Sequence, residues 1–359
     1  MQKTGIAELP LHNGKAPRWL FSRMKALAES FVEIMIIEFG KKEILRRMSD
    51  PFWFQAFGCL LGFDWHSSGL TTTVTAAIKE ALKDKKKEFG VFVAGGKANT
   101  ALQTPQEILN YAESFCFDPT PFIYASRLSA KVDNVAVQDG FNLYHHTIIF
   151  TDEGDWCVIQ QGMNSNLCVA RRYHWLSYNL KSFVEEPHTA VCCDLKTEAL
   201  NFTAIESSSL REKSVSLSCE KPEKTLKEIK KVKELIMPKR HFLTLEDITP
   251  ENIYKILIKT YEKQPCNFES LLEIKGVGAK TLRALALTSE LLYGTPISFK
   301  DPARYSFAHG GKDRIPYPVD RKLYDKTVDV LRKTIEESKI GRTEKIFALR
   351  RLNQFFKLA

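Results

Sequence analysis

The sequence lacks a long apolar run: its longest apolar stretch, around Ile34 to Phe39, is interrupted by Glu38. That falls far short of the ~20 residues a membrane-crossing helix needs, so no membrane association is expected. A secretory apolar region with a cleavage site is also missing at the start, which leads us to expect a cytoplasmic protein. The 8 cysteines form no CxxC pair and no dense framework, and the neighbours Cys192 and Cys193 are too close for an unstrained disulfide. Free thiols are expected, and the Cys and His spacings match no zinc site. Gly95-Gly96-Lys97 and Gly310-Gly311-Lys312 lack the GxxxxGK[ST] spacing, and no GxGxxG follows a strand, so no nucleotide cofactor is expected.

What is present is large apolar side chains and unevenly placed charge. The 23 Phe, 11 Tyr and 5 Trp among 359 residues supply enough material for two cores. Residues 1–224 carry 25 Lys and Arg against 26 Asp and Glu, whereas residues 225–359 carry 27 against 17. A basic excess confined to the last third suggests a polyanionic partner for that part.

Apolar spacing gives the coarse organisation. Pro17 to Gly40, Lys41 to Met48, Thr72 to Lys87 and Pro105 to Phe115 have helical character, with a short strand at Phe89 to Ala94. The period then becomes two. Ala125 to Val137 reads as one or two strands, and Phe141 to Phe150, the turn Thr151 to Asp155 and Trp156 to Gln161 read as a hairpin. The Ser-rich segment 205–224 reads as a linker. Beyond it, Leu226 to Ile236, Pro250 to Lys263, Phe268 to Ile274, Ala279 to Tyr293, Asp320 to Ser338 and Arg342 to Phe356 all look helical. The expected fold class is α+β: a mixed α and antiparallel-β domain over 1–204, a linker over 205–224 and a basic all-α domain over 225–359.

The most specific local pattern is FESLLEIKGVGAKTLRALAL at 268–287, a short helix, two glycines around a valine, and a second helix. Gly276 and Gly278 leave the backbone bare, so amides of the turn and of the second helix can face an anion, with Lys280 adding a full charge. The stretch resembles the helix–hairpin–helix motif of repair glycosylases, nucleases, ligases and recombination proteins. That resemblance implies a grip on DNA phosphates, without sequence readout, through Gly276, Gly278, Lys280 and Thr281. Further on, Pro318-Val319-Asp320 resembles the stretch after the hairpin in DNA glycosylases of this class, which would make Lys280 and Asp320 catalytic. Their separation is about twice what that class uses, and Pro316 with Asp320 also makes an ordinary helix start.

In the first half, Lys131, Asp133 and Asp139 fall at even separations and would share one face if 131–139 were a strand. Two carboxylates and a lysine could hold Mg²⁺ or Mn²⁺ and orient a water against a phosphodiester. Of the adjacent His145 and His146 only one could join, and His146 is the candidate. A solvated face with a salt bridge is the plainer alternative. Asp64, His66, Ser67 and Ser68 are too close in sequence to be argued as a triad.

Five phrases together are more specific than any of these: KTGIAELPLHNGKAPRWLF, SDPFWFQAFGCLLGFDWHSSGLTTTV, VQDGFNLYHHTIIF, VIQQGMN and DPARYSFAHGGKDRIPYPVDR. They resemble an archaeal and bacterial family known as domain of unknown function 763, over nearly the whole chain. The expectation is a DNA-binding protein of repair or recombination, acting either as a metal-dependent nuclease or as a non-catalytic adaptor that recruits another repair protein. A glycosylase or lyase using Lys280 and Asp320 is a third possibility.

Overall fold

The computed structural model describes residues 17–63, 67–192, 195–235, 243, 245–303, 329, 331–337 and 341–356. Its centre is an antiparallel sheet of five strands, formed by β1 (Val91–Lys97), β3 (Asn142–Thr151), β4 (Trp156–Asn164), β5 (Val169–Leu176) and β6 (Ala190–Cys192), in the order β1-β3-β4-β5-β6. Two short strands, β2 (Val137–Gln138) and β7 (Leu200–Asn201), pair separately. The α+β class is as the sequence patterns indicated.

Alternation along the strands gives the sheet two buried faces. Val91, Val93, Ile149, Cys157 and Ile159 face the back, where α1 (Arg18–Phe39), α2 (Lys41–Ser49), α3 (Pro51–Leu61) and α4 (Gly69–Ala81) pack. In α1, Met24, Leu27, Phe31 and Met35 repeat every three or four residues and form its buried stripe. Asp50 caps α3, its side chain accepting from the Trp53 amide at 2.9 Å. A single turn, α5 (Lys86–Phe89), leads into β1.

Phe92, Ala94, Ile148, Phe150, Val158 and Trp175 face the front. There they meet α7 (Thr104–Phe115), which follows the short α6 (Asn99–Leu102), and α8 (Thr120–Lys131). Of residues 125–137, expected as strand, 125–136 are the end of α8 followed by a π-helical turn, Val132–Ala136, and only Val137 is strand, opening β2. The buried residues Ala125, Leu128, Val132 and Val135 are spaced three or four apart, so a helical stripe overrides the even spacing of the polar residues.

The expected linker is also structured. Residues 205–224 comprise a 3₁₀ turn, all of α9 (Ser208–Cys219) and the start of α10 (Pro222–Glu234). Leu210, Ser214 and Leu217 have no exposed surface, so the serines are there for close packing rather than for solvation. Arg211 fastens α9 by donating to the carbonyls of Phe202 and Ala204 at 2.7 and 2.8 Å.

The front is completed by α11 (Pro250–Lys263), α12 (Phe268–Glu273) and α13 (Ala279–Tyr293). Phe268 stacks on Phe202 with ring centres 5.1 Å apart, and Leu271, Val277 and Leu285 share one core with the sheet residues Ile148 and Phe150. Leu331 and Ile335 of the helical stretch 331–337, with Ala348 of α14 (Arg342–Phe356), pack instead with α1–α4 on the back. Buried residues of the stretch 225–359 are thus divided between the core that includes α1–α4 and the core that includes α7 and α8.

Candidate functional site

A band of polar residues crosses the middle of the sheet, in register on three strands. His146, Gln160 and Tyr173 are neighbours on the front, and His145, Gln161 and Arg172 on the back. All six are buried.

The front row meets Asp133, which projects from the π turn. This carboxylate accepts from Gln160 Nε2 at 2.5 Å, Trp175 Nε1 at 2.9 Å and His188 Nε2 at 2.5 Å. The indole can only donate, which makes Oδ2 an acceptor and points the Gln160 amide nitrogen at it. Gln160 Oε1 must then accept from His146 Nδ1 at 2.8 Å, leaving His146 Nε2 to accept from the Ser126 hydroxyl at 2.8 Å. Burial depresses the His146 pKa against the opposing pull of Gln160 and Asp133, consistent with this neutral tautomer.

Asp139 lies in the same cluster. Its Oδ2 accepts from Arg171 Nη1 and from the Tyr173 hydroxyl, both at 2.7 Å, and Oδ1 takes the Phe141 amide at 3.0 Å. Arg171 reaches on to Asp301 at 2.8 Å. Burial works to lower the Arg171 pKa, but Asp139 and Asp301 raise it, so it stays a cation between two carboxylates. The Tyr173 ring lies 5.9 Å from the His188 ring, which links the two carboxylate groups.

Asp133, Asp139 and His146 are thus brought together, although not by a shared strand. Lys131 ends α8 just before the π turn, half-buried, and burial lowers its pKa. His145 faces the back, bonded to Thr75 and Thr147 at 3.1 and 3.0 Å, with its pKa pushed down to about 3 by burial first and by His146 next. The residues do not fit the Mg²⁺ or Mn²⁺ that the even spacing suggested. A hard cation needs open carboxylate oxygens and room for waters. Here the carboxylates of Asp133 and Asp139 are buried and already serve several protein donors. Among the described residues no three His, Cys, Asp or Glu side chains are grouped to hold a metal.

Sequence reasoning passed over Ser126, Gln160, Arg171, Tyr173, Trp175 and His188. The alternation of Arg171, Tyr173 and Trp175 in β5 was a readable signal for three of them. His188 lies outside any strand or helix, where no periodicity marks it.

The second candidate is the turn between α12 and α13. A capping box opens α12: Asn267 accepts from the Ser270 amide at 2.8 Å, and the Ser270 hydroxyl accepts from the Asn267 amide at 3.1 Å. Ile274 ends the helix, and the Val277 amide donates to the Ile274 carbonyl at 3.1 Å. Gly276 has φ of 107°, a left-handed value that favours glycine, whereas Gly278 is extended at −130°. Val277 is wholly buried beneath them. A Cβ on Gly278 would meet nothing nearer than the Gly276 carbonyl oxygen at 3.8 Å, so its outer side is open.

Lys280 and Arg283 project beside this turn, both held by Asp247. Thr281 is buried, so its side chain does not face solvent as the motif suggested; only its amide belongs to the open end of α13. Gln138 donates to the Ala279 carbonyl at 2.9 Å, tying the first residue of α13 to β2, one residue from Asp139. Asp64, His66, Gly310 to Lys312 and Asp320 lie outside the described residues.

Fold and site together define an α+β protein whose Gly-Val-Gly helical pair packs against α8, α9 and the π turn in front of an antiparallel sheet. A family model for proteins of unknown function, DUF763, matches residues 5–319, and the chain belongs to that family. No curated protein and no solved structure matches it. No helix among the described residues is long and apolar enough to cross a membrane.

Proposed function

We propose that the protein binds DNA through its phosphate backbone in repair or recombination, using the turn Gly276–Gly278 as a helix–hairpin–helix grip. The observation that carries this reading is the open turn itself: bare backbone at the positive end of a 15-residue helix, with Lys280 and Arg283 alongside. Backbone amides and point charges recognise phosphate without reading bases, so affinity should depend on salt far more than on sequence.

Of the accompanying roles, the adaptor is favoured over the metal-dependent nuclease because the carboxylates of Asp133 and Asp139 are already engaged by protein donors. A lyase through Lys280 has less support. Its side chain is 61% exposed and its amine is held by Asp247, whereas a nucleophilic lysine needs a desolvated pocket. The test is fluorescence anisotropy with single-stranded, duplex and branched DNA, alongside cleavage assays with Mg²⁺, Mn²⁺ or EDTA. Salt-sensitive binding without cleavage is expected. Absence of binding at low salt refutes the DNA reading, and metal-dependent cleavage reinstates the nuclease.

A further inference from the structure

Asp247 lies in the turn before α11, against the basic side of the hairpin. Its carboxylate meets Lys280 Nζ at 3.3 Å and also takes Arg283 Nη2, while its carbonyl takes Lys280 Nζ at 2.8 Å. The turn is anchored: Lys233 donates to the Ile248 carbonyl at 2.6 Å, the Ile248 amide to the Leu245 carbonyl at 3.0 Å, and both Leu245 and Ile248 are buried. The Asp247 carboxylate is therefore carried on a fixed support, yet its side chain is 49% exposed and open to exchange with solvent anions. One carboxylate draws two cations to a single anion position beside the N-terminus of α13.

We infer that Asp247 is a resident counter-anion of the hairpin, which a DNA phosphate must displace from Lys280 and Arg283 before the turn can close on it. This rests on the DNA reading above and adds its regulation. The exchange swaps one singly charged anion for another, so native affinity is held below what two uncompensated cations would give.

The test is anisotropy of a short labelled duplex against the full chain from about 50 to 200 mM salt, the range over which counterion release is steep. The variants are Asp247→Asn and, as a control for net charge, Glu246→Gln in the same turn, with melts confirming the fold and Asp247→Ser in reserve should Asn disturb the turn. Asp247→Asn should bind about three- to ten-fold tighter, as release of two partly exposed ion pairs allows, with a salt slope steeper by about one. Glu246→Gln should change affinity by less than about two-fold, since it alters only the general field. In a Lys280→Met, Arg283→Met background the gain from Asp247→Asn should vanish. Equal effects of the two acidic substitutions, or weaker binding by Asp247→Asn, overturn the inference and make Asp247 an organiser of the cations. Failure of the native chain to bind any DNA brings down the underlying reading instead, and that arm is read without the variants.

Discussion

Asp139→Asn should damage folding, not merely chemistry. The substitution removes a charge from the partner of Arg171, a guanidinium with no exposed side-chain surface. Breaking one side of a buried ion pair costs about 3–5 kcal/mol, because the remaining charge stays desolvated and uncompensated. The retained contact to Asp301 at 2.8 Å argues for the lower end of that range. Against a total stability of about 5–15 kcal/mol this is a large fraction. At ~2–4 °C per kcal/mol for larger domains, the melting temperature should fall by roughly 6–15 °C. Near-UV circular dichroism melts at neutral pH measure it directly, with Glu206→Gln as the control. That residue forms an exposed pair with Lys300, and its loss should shift the melt by no more than about 2 °C. A metal-binding carboxylate would behave in the opposite sense, since removing a surplus negative charge from an empty metal site usually stabilises. An Asp139→Asn protein that melts with the native one would refute the account of the buried triad.

Other outcomes follow from the same geometry. His145, His146 and His174 all have pKa values depressed, chiefly by burial, so the unfolded chain binds more protons below its own histidine pKa near 6.5. Stability is therefore fully present above about pH 7 and is lost as pH falls, by ~1.4 kcal/mol per histidine per pH unit; a denaturant midpoint unchanged between pH 7.5 and about 5.5 would contradict it. Gly278→Val should fold normally, because that backbone is extended, but should weaken duplex binding about ten-fold or more by blocking phosphate approach. Gly276→Ala should instead lower stability by about 1–2 kcal/mol through its positive φ, and equal melts for the two glycine variants would count against the turn geometry. Residues 225–359 expressed alone should show no cooperative unfolding, since the fragment lacks α9, against which α10 to α13 pack; a sharp melt would restore a separate domain.

Much of the fold was legible in local pattern. The strands at β3 and β4 and the helices α11 to α13 stand where alternation or helical spacing placed them. The failures share a cause, which is that small or polar residues were taken as solvent-facing. Ser214 and Ser218 are wholly buried, where their size lets α9 approach its neighbours, and composition alone reads them as linker. Lys131, Asp133 and Asp139 have even spacing by coincidence, because a helix, a π turn and a short strand lie between them. The cluster around Asp133 could not be assembled from sequence, since Ser126, His146, Gln160, Trp175 and His188 arrive from separate segments. The turn at Gly276 to Gly278 was legible because its whole geometry lies within a few consecutive residues.

The hydrogen bond from Gln138 to Ala279 has a mechanical meaning. It joins the first residue of α13, just after the Gly-Val-Gly turn, to the strand beside Asp139, and the Val277 side chain is seated in the same core as the sheet. The turn is therefore tied to the body of the protein at two points, one polar and one apolar. A ligand seated there is held at a constant bearing, like work in a fixed jig, with little conformational freedom left in the protein to be lost on binding. Gln138→Ala would remove that one tie while leaving the buried Val277 seat in place.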